Sequence, residues 1–282
     1  MKLVSFWRDG RDSVGLLRDD HVVDISSLNG QSYASLRGLL ANGGIAALEA
    51  AALDSLPAVP LAQIRFRPVI TDPAKILCIG INYASHVKET GREIPQFPMI
   101  FTRFPDSQVG HREALLRPRE SVKFDYEGEL AVVIGRHAHR IKEADALKYV
   151  AGYSCYNDGS LRDWQRHTSQ FTPGKNFPAT GGFGPWLVTA DEIPDPSDLH
   201  LQTRLNGEVM QDTNTSDMIF GVGKLIEYCS SFTPLAPGDV LVTGTTGGVG
   251  AFRQPPVWMT PGDIVEIEIS GIGVLRNTIA DE

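Results

Sequence analysis

Cysteine is scarce, with three in 282 residues, and Cys78, Cys155 and Cys229 lie far apart in mostly apolar surroundings. So odd and scattered a set argues against a disulfide or zinc framework and reads as reduced core thiols. The chain also lacks any run approaching the roughly 20 apolar residues that span a bilayer. A basic block is missing as well: 26 Lys and Arg against 34 Asp and Glu leave a net charge of −8, spread along the sequence. That distribution argues against a surface that tracks nucleic-acid phosphates. The first residues, Met1 to Arg8, hold no long apolar stretch, so no secretory signal is expected. Repeats and low-complexity tracts are absent. What is there is 42% hydrophobic and 21% charged, enough apolar material for a full core. These features predict a soluble, cytoplasmic globular protein.

Short strands are expected at Leu3–Phe6, Ser13–Leu17 and Val22–Asp24, then Ala- and Leu-rich helical stretches near 33–42 and 45–55. Pro57, Pro60 and Pro68 break the pattern around Arg65–Arg67, a connector. From Lys75 the texture turns to β-rich runs separated by Gly and Pro: Ile76–Ile81, Leu130–Ile134, Trp186–Thr189, Leu199–Leu205, Val240–Val242 and Ile264–Ile269. Helical periodicity is confined to 82–89, 143–149, 160–168 and 218–229. The fold class predicted is α+β, mainly β: a small N-terminal α/β domain over 1–70 and a larger, mainly antiparallel β domain over 71–282.

The segment Phe124-Asp-Tyr-Glu-Gly-Glu-Leu-Ala-Val-Val-Ile-Gly135 carries the most chemistry. Residues two apart on a strand share a face, so Glu127 and Glu129 would present two carboxylates side by side where an apolar strand enters the core. Burial sharpens their repulsion, and a hard divalent cation relieves it. The alternative is a solvated strand face. The chain supplies its own comparison in Glu266 and Glu268, which have the same spacing but alternate with Val265, Ile267 and Ile269 as on a half-exposed strand. The first pair differs in being followed by a third carboxylate, Asp158, within Gly152–Asp163.

His86 and Glu89 stand three apart on a short helix with Asn82 or Ser85 near its N-cap, a spacing that lets a carboxylate raise the basicity of an imidazole. On the residues alone this is a general base or an incidental pair on a solvated helix. Lys175 stands among turn residues in Thr172–Pro178, where a lysine is ordinarily solvated, and Arg162 and Asp163 could form a structural ion pair. Gly244–Gly250 and Gly221–Lys224 lack the spacing of phosphate loops, and His137 and His139 alternate in a polar turn. None points to a nucleotide.

The ordered blocks Gly80–Glu89, Tyr126–Gly135, Asn157–Asp163, Gly174–Phe177, Asn206-Gly207, Val242–Thr245 and Pro261–Asp263 together resemble the fumarylacetoacetate hydrolase family. The resemblance covers about residues 75–282. It implies a mixed β-roll/sandwich catalytic domain and a Mg²⁺ or Mn²⁺ held by Glu127, Glu129 and Asp158. It further implies a His86/Glu89 pair on a lid that activates water, and Lys175 facing the substrate oxygens. Tyr153, Arg162, Gln165 and Thr245 become candidate substrate contacts, and a homodimer is implied. The reaction implied is hydrolysis of a C–C bond in an acylpyruvate or related 2,4-dioxo acid. An oxaloacetate-type decarboxylase or isomerase, and a non-catalytic metal-binding protein, are the alternatives. Two departures stand out: Thr246 replaces the frequent proline of Gly-Thr-Pro, predicting a looser loop, and Arg103 stands where lysine is common, so its fork could take a substrate carboxylate or serve the structure.

Overall fold

A computed structural model describes the whole chain except residues 29 and 50–52. The expected helix near 45–55 appears as Gly44–Glu49, and its middle lies outside the described residues. Two large β-sheets face each other. In the first, the strands run in the order Ala58–Pro60, His21–Asp24, Arg11–Arg18, Lys2–Arg8, Gly181–Thr189, Val150–Asn157, Gly128–Ile134, Val240–Thr245, Ile76–Gly80 and Met99–Thr102. The second has the order Ala114–Arg117, Gly273–Asp281, Ile264–Ile269, His200–Leu205 and Glu208–Asn214.

Strand Gly128–Ile134 lies at the centre of the molecule and is buried on both faces. Its even-numbered residues Leu130, Val132 and Ile134 pack with Leu201, Ile267 and Leu275 of the second sheet. Its odd-numbered Ala131 and Val133 pack instead with Val240, Val242 and Cys78, continuous with Leu36 and Leu39 of the helix Leu36–Ala41. Gly128 belongs to the even face, and a Cβ there would sit 2.1 Å from Thr203 Oγ1, so only glycine lets the two sheets close at this point. The same alternation sends Glu129 to the opposite face, where the cavity opens.

The long N-terminal strands do not form a sheet of their own, whereas the two-residue strands Ser27–Leu28 and Gln31–Ser32 pair with each other. Leu3 pairs with Leu187, so Lys2–Arg8 continues the first sheet, and Arg65-Phe66, within the expected connector, pairs with Trp7 and Phe6. Ser35 caps the helix Leu36–Ala41 by accepting from Gly38 N at 3.2 Å, as a serine at that position should. Ile264–Ile269 matches its expected bounds, and Glu266 and Glu268 are tied to Arg204 at 3.2 and 2.6 Å, a structural role. Residues 143–149 are helical as expected, in 3-10 form. Two expectations fail locally. Residues 160–168 divide into a short strand and the helix Arg162–Gln165. Glu127 lies in the link before the central strand instead of on it. Among the described residues, no helix is long and apolar enough to cross a membrane.

Candidate active site

The acidic cluster is assembled from two segments clamped together by one backbone–backbone bond and one backbone–side-chain bond. Asp158 N donates to Glu127 O at 2.8 Å, and Glu127 N donates to Asn157 Oδ1 at 3.0 Å. With Glu129 on the cavity face of its strand, one carboxylate oxygen from each of Glu127, Glu129 and Asp158 falls within 4.8 Å of the others, all three side chains buried. The expected trio therefore meets, at the floor of an open cavity lined by Glu127, Glu129, His86, Arg162, Lys175 and Thr245 among others.

Such a cluster is tolerable only with compensation. Lys175 Nζ spans Glu127 Oε2 at 2.5 Å and Asp158 Oδ2 at 2.6 Å and lies 4.9 Å from the Phe101 ring centre, so it is buried and fully engaged instead of solvated. Arg162 donates from Nη1 to Glu127 Oε1 at 2.6 Å and from Nε to Asp125 Oδ2 at 2.7 Å. Its neighbour Asp163 turns away to Ser121 Oγ at 2.7 Å, so the alternative Arg162–Asp163 pair does not form. Although burial opposes ionisation, Arg162 and Lys175 hold the Glu127 carboxyl down at about 2. Glu129 has no such partner. It accepts from Gly244 N at 2.5 Å, and burial, then the charges of Asp158 and Glu127, push it well above the usual carboxylate range. Four carboxylates (Asp125, Glu127, Glu129 and Asp158) thus face three cations (Arg103, Arg162 and Lys175). The uncompensated one is Glu129. An all-oxygen donor set one positive charge short fits a hard divalent cation, since each carboxylate oxygen can accept a second partner beside its present one.

His86 Nδ1 lies 3.0 Å from Glu89 Oε2, with His86 buried at the cavity wall, so the dyad forms on the helix Ala84–Thr90. Glu89 Oε1 also accepts from Gly248 N at 2.8 Å. The helix is not capped by Asn82 or Ser85. Its N-cap is Tyr83, and the distant Asp217 accepts from Ser85 N at 3.0 Å and Ser85 Oγ at 2.6 Å. Asn82 serves the floor instead, donating to Thr243 O and Phe220 O at 2.7 and 3.0 Å.

Gln165 and Thr245 line the cavity, the former 3.1 Å from Arg162 Nη1 and the latter accepting from Gln211 Nε2 at 2.8 Å. Tyr153 does not belong with them. It shares a strand face with Cys155, which packs on the second sheet, whereas the cavity opens on the face of Tyr156 and Asp158. Arg103 is also withdrawn from any ligand: its fork is spent on Asp158 Oδ1 (2.6 Å), Gly159 O (3.0 Å) and Thr180 Oγ1 (2.8 Å). Thr246 ties its loop down, sharing a 2.9 Å hydrogen bond with Ser85 Oγ while its carbonyl accepts from Gln211, so the loop is held despite lacking proline. Sequence reasoning missed two residues. Asp125 accepts from Gly250 N, Ala251 N and Arg162, fixing both the arginine and the turn that carries Phe252. Asp217 is the other, and nothing local signals a cap supplied from 132 residues away.

The family model described as Fumarylacetoacetate (FAA) hydrolase C-terminal matches residues 75–280. The chain belongs to the fumarylacetoacetate hydrolase family. An oxaloacetate tautomerase, named as mitochondrial, from Rattus norvegicus is 44% identical over 225 residues, 79% of this chain and 72% of its own. Over its whole length the chain is similar to the structure of a fumarylacetoacetate hydrolase from the psychrophile Exiguobacterium antarcticum, with TM-score 0.89, 34% identity and full coverage of both chains. The structure of a maleylpyruvate hydrolase from Sphingobium sp. SYK-6, described as a complex with manganese(II) and pyruvate, is similar with TM-score 0.82 and 27% identity, covering 100% of this chain and 99% of the other. The chain is therefore an enzyme of this superfamily with the mainly β fold of its relatives.

Proposed function

We propose that the protein catalyses proton transfer at the carbon next to the carbonyl of a 2-oxo acid, interconverting keto and enol forms of an oxaloacetate-like compound. The observation that carries this reading is the meeting of an uncompensated buried carboxylate, Glu129, with the His86–Glu89 dyad in one cavity. The name of the rat relative supports tautomerisation as the first reading. In it, Glu127, Glu129 and Asp158 hold Mg²⁺ or Mn²⁺. Such an ion, when bound, supplies Lewis acidity to the substrate's carboxylate and adjacent carbonyl oxygen.

The chain's own groups then do the following. Nδ1 of His86 donates to Glu89, which fixes the tautomer and leaves Nε2 as the basic nitrogen. Nε2 takes the proton from C3 of the substrate, and the proton is returned to the C2 oxygen. Lys175 sets positive charge beside the oxygens on which negative charge develops, where preorganised electrostatics acts most strongly. A homodimer is part of this reading, resting on the family resemblance.

C–C hydrolysis is the second reading, favoured by the intact dyad and by the likeness to the maleylpyruvate hydrolase described with manganese and pyruvate. There His86 would activate water for attack on the distal carbonyl of a 2,4-dioxo acid, and pyruvate would leave. The deciding experiment follows enol loss from oxaloacetate by ultraviolet absorbance and pyruvate release from acylpyruvates, each with and without Mn²⁺, with Glu129→Gln as control. Metal-dependent acceleration of enol loss without pyruvate release from acylpyruvates is expected. Pyruvate release with no effect on the enol would replace the first reading by the second.

A further inference from the structure

The glycine run Gly244–Gly250 is no phosphate loop, and the proposed reaction gives it no task. In the structure the chain from Thr246 to Arg253 touches the helix Ala84–Thr90 three times. Thr246 Oγ1 shares a hydrogen bond with Ser85 Oγ at 2.9 Å. Gly248 N donates to Glu89 Oε1 at 2.8 Å, while Glu89 Oε2 meets His86 Nδ1 at 3.0 Å. Both oxygens of the Glu89 carboxylate are thereby engaged, which sets the plane of the group. Phe252 stands edge-on to the His86 ring at 6.1 Å, and the Arg166 guanidinium backs it, 5.9 Å from its centre. Gly248 reaches its position at φ +97°, where a Cβ would run into Met210 O, so only glycine fits.

The segment is anchored at two points away from the dyad. Asp125, fully buried, accepts from Gly250 N at 2.8 Å with one oxygen and from Ala251 N at 2.9 Å with the other. The second oxygen also accepts from Arg162 Nε at 2.7 Å. Arg253 supplies the other anchor, donating from Nη2 to Met210 O at 2.7 Å and from Nε to the Tyr126 hydroxyl at 3.2 Å. The ring that meets His86 therefore hangs on a turn tied to the floor arginine.

We propose that Thr246–Arg253 is a strap that orients the His86–Glu89 dyad, with Asp125, Arg253 and Phe252 as positioning residues of the site. Asp125 and Arg253 act through the strap, and Phe252 is the ring by which it bears on His86. The inference rests on the proposed function in taking His86 as the base, and adds what holds that base in place. A reacting group displaced by about 1 Å can lose about a hundredfold in rate, so a loosened strap lowers kcat and leaves KM in place. Asparagine cannot replace Asp125 as anchor, because its amide N–H₂ would face at least one of the three donors that the carboxylate accepts.

The test combines nuclear magnetic resonance of the His86 ring protons, assigned with His86→Gln, and steady-state enol loss from oxaloacetate with Mn²⁺. Wild type is compared with Phe252→Leu, Arg253→Gln and Asp125→Asn. Each variant is expected to move the His86 ring signals in one direction, because each takes the Phe252 ring away from them. Each should also lower kcat about tenfold with KM within about twofold. Phe252→Tyr keeps the ring and should match the wild type in both. Unmoved His86 signals in Arg253→Gln and Asp125→Asn overturn the proposal, as does an unchanged kcat in a wild type that turns over. Should Asp125→Asn fail to fold, Arg253→Gln, which is half-buried and leaves Asp125 and Arg162 untouched, decides alone. Moved signals in a protein whose wild type does not turn over oxaloacetate remove the proposed reaction and leave the strap standing.

Discussion

Arg103 Nη1 meets Asp158 Oδ1 at 2.6 Å with both side chains sealed from solvent. The pair lies beneath the acidic cluster and fixes the carboxylate that comes from the second segment. Removing the cation leaves Asp158 a buried anion leaning on Lys175 alone. Arg103→Met is expected to destabilise the fold by about 3–5 kcal/mol in urea melts, the usual cost of breaking one half of a buried pair. Arg103→Lys keeps the charge and loses the fork, so its cost should be smaller.

Glu129 is the carboxylate without a cation. Glu129→Gln removes its repulsion with Asp158 and Glu127, so the metal-free protein should melt higher, by about 2–4 °C for each kcal/mol relieved. Mn²⁺ is expected to raise the melting temperature of the wild type, and the same variant should lose that rise. A lower metal-free melting temperature would count against the electrostatic account.

The helix Ala84–Thr90 depends on a cap from a distant segment. Asp217→Ala frees Ser85 N–H and is expected to cost about 1 kcal/mol, confined to this helix. Hydrogen exchange of amides in Ala84–Thr90 should accelerate by about fivefold with little change in global stability.

His111 provides the acid limit. Its Nδ1 accepts from Arg276 N at 3.0 Å and its ring meets Phe66 edge-on, so the folded state needs it neutral. Burial first, then Arg112 and Arg276, lower it from 6.5 to about 4. The unfolded chain therefore binds the proton more readily between those values. The contribution is complete above pH 6.5 and is lost as pH falls toward 4, up to about 3 kcal/mol. His111→Asn should flatten this part of the stability–pH curve.

Much of the site is legible because its chemistry is written in short blocks. Glu127, Glu129 and Asp158 stand beside apolar strands that have to be buried, and His86 and Glu89 share a helix face. The central alternation also places Glu129 correctly. Tyr153 is misplaced because the strand Val150–Asn157 is not among the expected ones, and without it there is no parity to say which side its residues face. Asp125, Asp217 and the commitment of Arg103 to Asp158 are products of long-range approach, 125, 132 and 55 residues from the groups they serve, and no local pattern encodes them.

The strand Gly181–Thr189 hands its inner edge to the strand that ends at Asn157, next to Asp158, while its outer edge is covered by Lys2–Arg8 near Leu187 and by Gln108-Val109 near Gly181. Stripped of the front segment, that outer edge would show bare amides and carbonyls, a template on which another copy can dock in cross-strand fashion. Lys2–Arg8 thus closes an edge that would otherwise be open, and a chain shortened past it is expected to associate more readily with copies of itself.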